Sequence, residues 1–149
     1  MSAYSTEPNI VFLIDDNSVD NFVHKKMIEL NKFSSQVRTF SNAKDALFYL
    51  SEIDELNYNE HIIPSIIFLD LNMPLINGFQ FLELYEKLPS IIHTKCKIVI
   101  LTSSLNPADK NISVKNNHIL AFLNKPLNSE HFLELNELLY ETHLPIKKS

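Results

Sequence analysis

An α/β fold, a doubly wound parallel sheet with helices on both faces, is what this sequence predicts. Three observations carry the prediction. Short continuous apolar runs rich in β-branched residues recur along the chain, as strands buried on both faces require. Between them lie stretches with apolar residues at helical spacing. The two kinds alternate five times, which implies parallel strands joined by helical crossovers, and right-handed crossovers leave few topologies.

The first strand is 10–14 (IVFLI). A helix follows over Ser18–Leu30, with Val19, Phe22, Val23, Met27 and Leu30 forming its inward stripe. Residues 36–40 alternate weakly and read as a second strand. Ser41 or Asn42 can cap a helix over 43–53, with Ala43, Ala46, Leu47 and Leu50 facing in. The third strand is Ile66–Leu69 (IIFL). The helix over 79–88 carries Phe79, Leu82 and Tyr85 on one stripe, widened by Phe81, Leu84 and Leu88. The fourth strand is 97–101 (KIVIL). Pro107 suits the first turn of a helix running to about residue 117. A short fifth strand at 120–123 and a last helix from Asn128 or Ser129 to about 142 complete the pattern. The connection 54–65 is long for a compact domain, and its plain reading is a solvated loop.

Composition narrows the function classes. The 149 residues fit one domain, with a 45% apolar and 21% charged composition that is ordinary for a globular chain. A net charge of −5 with scattered basic residues argues against nucleic-acid binding. The polar start and the lack of a long apolar run argue against a signal peptide or membrane span and point to the cytoplasm. Cys96 is the only cysteine, so no intrachain disulfide forms. Gly78 is the only glycine, which excludes dinucleotide folds and P-loops, whose phosphate-cradling turns need several.

Parallel α/β sheets carry their sites beyond the carboxyl ends of the strands. There the chain places Asp15 and Asp16 after the first strand and Asp70 after the third. Thr102, Ser103 and Ser104 follow the fourth, and Asn124, Lys125 and Pro126 the fifth. Each alone reads as a turn or cap residue. Together they bring three carboxylates, a hydroxyl and an ammonium to one edge. Crowded carboxylates repel unless a cation joins them, and an all-oxygen donor set suits Mg²⁺.

These residues resemble the receiver domain of two-component response regulators, over residues 9–142, with short tails at 1–8 and 143–149. The match rests on Asp15-Asp16, on Leu69-Asp70-Leu71-Asn72-Met73-Pro74 followed by Asn77-Gly78, on Leu101-Thr102-Ser103-Ser104, and on Lys125-Pro126. The resemblance implies a flavodoxin-like sheet of order 2-1-3-4-5 and a turn at Gly78 that favours positive φ. It implies Asp70 as phosphoacceptor and Asp15, Asp16, Asp70 and the Asn72 backbone carbonyl around Mg²⁺. Lys125 would contact the phosphoryl group, and Thr102 and Phe122 would form the switch. Phe122 has no phenolic OH, so a hydrogen bond from that position is absent.

The same resemblance implies a sensor histidine kinase or histidine phosphotransfer protein as donor. The signal would leave through the fourth helix, fifth strand and fifth helix of the pattern, to a protein target. No output domain fits after the last helix, and a monomer or weak homodimer is expected. The long loop and the L-D-L-N-M-P stretch resemble stand-alone receivers associated with phytochrome-type kinases. Two rival readings are weaker. A degenerate, never-phosphorylated module does not need the intact acid set. An Asp-nucleophile phosphohydrolase of the haloacid-dehalogenase type carries a second Asp two residues on, where this chain has Asn72. The six histidines lack metal-site spacing and read as surface or boundary residues, and Cys96 as an incidental small residue. Phe132, Leu135 and Leu139 read as core, with Leu133 and Leu138 off that stripe and partly exposed.

Overall fold

The computed structural model describes residues 10–54 and 62–143. The expected tail at 1–8, all but the first residue of the expected tail at 143–149, and most of the 54–65 loop lie outside the described residues. In order, the elements are β1 (Val11–Ile14), α1 (Ser18–Leu30), β2 (Val37–Phe40), α2 (Ala43–Ser51), β3 (Ile66–Leu69) and α3 (Gly78–Tyr85). They continue as α4 (Ser90–Lys95), β4 (Lys97–Thr102), α5 (Pro107–Val114), β5 (Ile119–Asn124) and α6 (Ser129–His143). The five strands form one parallel sheet of order β2-β1-β3-β4-β5, the order the family resemblance implies. α4 was not expected: it is a six-residue turn of helix after Pro89 with no side-chain cap, too short to carry a periodic signal.

Strand side chains alternate between two cores, as period-2 geometry requires. Phe12, Ile14, Ile67, Leu69, Ile98 and Ile100 face one side and meet Ala46 and Leu50 of α2 and Phe81 and Tyr85 of α3. Val11, Leu13, Ile66, Phe68, Val99 and Leu101 face the other and meet Ile28 of α1 and Phe132, Leu135 and Leu139 of α6. β1 and β3 are buried throughout, and each fully buried Phe, Leu or Ile contributes about 1.5–3 kcal/mol. Asn42 caps α2 by accepting from the Asp45 amide at 2.8 Å. Asn77 and Gln80 form a reciprocal capping box at the start of α3.

The expected inward stripe of α1 is overturned at four of its five positions; Met27 alone packs, partly buried, against the core. Val19, Phe22, Val23 and Leu30 are exposed, while Asn21, His24 and Ile28 are buried. Polar bonds hold the helix in this orientation. The Asn21 side-chain amide donates to the Asp15 carbonyl at 2.9 Å and to the Phe40 carbonyl at 3.4 Å, bridging the ends of β1 and β2. Buried His24 is likewise not the surface or boundary histidine expected; burial and then the Lys125 charge hold its pKa below the ordinary imidazole range. The expected core of α6 is present, with Leu133 exposed beside it.

Candidate functional site

The alternation that builds the two cores also aims the site residues. Asp15 continues the parity of Val11 and Leu13, and Asp70 that of Ile66 and Phe68, so both carboxylates turn toward the α1 and α6 side. β1 and β3 pair Ile14 with Leu69, and the Asp70 amide donates to the Ile14 carbonyl at 3.1 Å. The two aspartates therefore leave the sheet side by side. Both are buried. Asp16 is exposed, yet one carboxylate oxygen from each of Asp15, Asp16 and Asp70 lies within 4.8 Å of the others. Burial, then the charge of Asp15, holds the Asp70 carboxyl above its ordinary range, with Lys125 opposing.

Lys125 enters from the end of β5, its amide anchored to the Thr102 carbonyl at 2.9 Å. Its ammonium donates to Asp15 Oδ2 at 2.7 Å and to Asp20 Oδ2 at 2.8 Å, and stands 3.6 Å from Asp70 Oδ2. Burial disfavours the charge, but the two bonds and the field of Asp70 more than offset it and raise the lysine pKa. Asp20 is the site residue that sequence reasoning missed. It sits in the first turn of α1, where its amide donates to Asn17 Oδ1 at 3.0 Å, and that turn carries it to the edge formed by Asp15. The spacing D-D-x-x-x-D was the available signal.

Thr102 follows the parity of Ile98 and Ile100, toward the other core, and is fully buried; its hydroxyl oxygen accepts from the Ser104 amide at 3.2 Å. Phe122 pairs with Ile100 and packs half-buried against that same core. Thr102 and Phe122 thus share a face. Asn72 is exposed, with its amide 3.3 Å from Asp70 Oδ1. The Ser104 hydroxyl donates to Asp109 Oδ2 at 2.5 Å.

Gly78 corrects an expectation. Its φ is not positive; among the described residues the left-handed positions are Lys32 (φ 52°) and Leu75 (φ 67°). Glycine stands here because of close approach: a Cβ would lie 2.7 Å from the Asp70 carbonyl oxygen and 2.7 Å from Leu71 Cα. The Gly78 amide closes the turn by donating to the Leu71 carbonyl at 3.0 Å.

Oxygen donors only, three carboxylates and no sulfur or imidazole, make a set for a hard divalent cation. The family model of the response regulator receiver domain matches residues 11–137. This chain belongs to that family. As a receiver domain it is a signalling module of single-domain size. It is 24% identical over 135 residues to the response regulator Rcp1 of Synechocystis, covering 91% of this chain and 88% of the relative. Among solved structures, a response regulator receiver protein from Dyadobacter fermentans is 30% identical with a TM-score of 0.75, covering 89% of this chain and 95% of that one. A two-component response regulator from Cytophaga hutchinsonii is 26% identical with a TM-score of 0.78, covering 89% and 96%. Among the described residues, no helix of this receiver is long and apolar enough to cross a membrane.

Proposed function

We propose that this receiver accepts a phosphoryl group on Asp70 from a histidine kinase or histidine phosphotransfer protein, with Mg²⁺ as cofactor, and acts in the cytoplasm. The observation that carries the reading is the buried pair Asp15 and Asp70 with Asp16 at its mouth and the Lys125 ammonium across from it. An Asp70 carboxylate oxygen attacks phosphorus, the phosphorus–nitrogen bond of the donor imidazole breaks, and an aspartyl phosphate forms. Asp15, Asp16, Asp70 and the Asn72 backbone carbonyl would hold Mg²⁺, whose role is to offset charge among the phosphoryl and carboxylate oxygens. Lys125 supplies a point charge to the phosphoryl oxygens.

Phosphorylation adds charge and acceptor oxygens at the carboxyl edge of the sheet, where β4 ends in Thr102. The Thr102 hydroxyl turns toward them and gives up the Ser104 amide. Phe122, on the same face, moves into the vacated space, and the packing of α5, β5 and α6 changes. Leu105 precedes α5 and Ile112 and Val114 lie on it, all exposed, which supports a protein target for this face. The phosphoryl group is the differential interaction that shifts the population. Hydrolysis of the aspartyl phosphate by water resets the domain, at a rate tuned by Asn72 and Ser104. Beryllofluoride with Mg²⁺ tests the proposal by amide NMR. The expected result is chemical-shift change at Thr102, Phe122 and along α5, β5 and α6, abolished by Asp70→Asn. No change in the wild type, or the same change in Asp70→Asn, refutes it.

A further inference from the structure

The Lys125 ammonium has three N–H donors. Two are spent on short bonds to Asp15 (2.7 Å) and Asp20 (2.8 Å), whereas Asp70, at 3.6 Å, is beyond hydrogen-bond reach. Asp20 has no place in the metal set, since the three carboxylates that converge are those of Asp15, Asp16 and Asp70. Its side chain is about one-third exposed, against 13% for Lys125, so it reaches the ammonium from the solvent side. Its backbone is fixed by the Asn17 cap, and an acid in the first turn of a helix is favoured by the helix dipole. Asp20 is thus a firmly seated anion whose one ion pair among the described residues is with Lys125.

We infer that Asp20 is a positioning residue: it tethers Lys125 toward α1 in the resting domain and must yield the ammonium when Asp70 is loaded. The inference rests on the reading of Asp70 as phosphoacceptor. A loaded Asp70 presents more negative charge than a carboxylate. The ammonium then has to cross the gap of about an ångström that separates 3.6 Å from a hydrogen bond. Asp20 opposes that move, because the bond it makes is lost or lengthened. The tether therefore sets how readily the site loads, separately from the metal ligands and from the nucleophile.

Asp20→Asn keeps the shape and removes the charge, and Asp20→Glu keeps the charge. Beryllofluoride affinity in Mg²⁺ and the NMR signal of the Lys125 ammonium are measured on the full chain. Asp20→Asn is expected to bind about two- to five-fold tighter, the range set by a partly exposed ion pair, and Asp20→Glu to match the wild type. The Lys125 signal of Asp20→Asn should differ from wild type before loading and coincide with it after loading. An Asp20→Asn affinity equal to wild type overturns the tether. So does a gain in affinity with the unloaded Lys125 signal unmoved, since that result is plain charge repulsion from Asp20. A wild type that takes up no beryllofluoride overturns the phosphoacceptor reading itself, and the tether falls with it.

Discussion

Substituting Gly78 by alanine puts one methyl group against the backbone that carries Asp70. The new Cβ would meet the Asp70 carbonyl oxygen at 2.7 Å, Leu71 Cα at 2.7 Å and Leu71 Cδ2 at 2.8 Å. Comfortable separations are about 3.5 Å, so something must retreat by about 0.8 Å. Two of the three obstructing atoms are backbone, pinned by the Gly78–Leu71 hydrogen bond and by the β1–β3 pairing. Overpacking of this kind costs about 1–3 kcal/mol. Against it stands the better helix propensity of alanine, at most about 1 kcal/mol, and less at the first residue of a helix. The net expectation is a loss of about 1–2 kcal/mol. Urea unfolding reads this as a midpoint lowered by about 0.5–1 M at an unchanged slope of about 2 kcal/mol/M. An unchanged or raised midpoint refutes the close-approach argument, because propensity would then have prevailed.

Leu75 holds φ 67° and is 96% exposed, so Leu75→Asn should relieve backbone strain without losing packing. A gain of about 0.5–1 kcal/mol in the same urea assay is expected. Burial pushes the Cys96 thiol up to about 12, so the native protein should resist alkylation at mildly alkaline pH and react once unfolded, as mass spectrometry would show. The folded-state pKa of His24 is lowered, so below its ordinary value of 6.5 the unfolded chain binds a proton that the fold refuses. Wild-type stability relative to His24→Gln should therefore fall as pH drops from 6.5 toward the lowered value, and denaturant melts across that window check the sign.

The strands were the most legible part of the fold. IVFLI, IIFL and KIVIL are buried on both faces and carry no competing helical period, so their order and their carboxyl ends could be read directly. That reading brought Asp15, Asp16, Asp70, Thr102 and Lys125 to one edge, where the structure has them. Which acids the ammonium touches was not legible. It depends on side-chain reach and on the rotation of α1, and neither follows from spacing. Gly78 was identified for the wrong physical reason: φ cannot be read from residue type when close contact with a distant carbonyl also demands glycine. α1 failed because four of the five residues of its apolar stripe face outward, with Met27 alone at the core. His24 was misplaced by the same half-turn.

That half-turn has a consequence for the energy landscape. At 3.6 residues per turn, Val19, Phe22, Val23 and Leu30 lie about 180° from Asn21, His24 and Ile28. Hydrophobicity alone would turn the helix over. The orientation observed instead places Asp20 against Lys125 and spans two strand ends with one amide. α1 is a frustrated element, in which local pattern and global fold disagree, and such disagreements gather at functional sites. A redesign that replaced Asn21 and His24 with leucine would remove the polar bonds that select between two faces. Two rotational states of one helix would then compete, with the acid–lysine contact intact in only one of them.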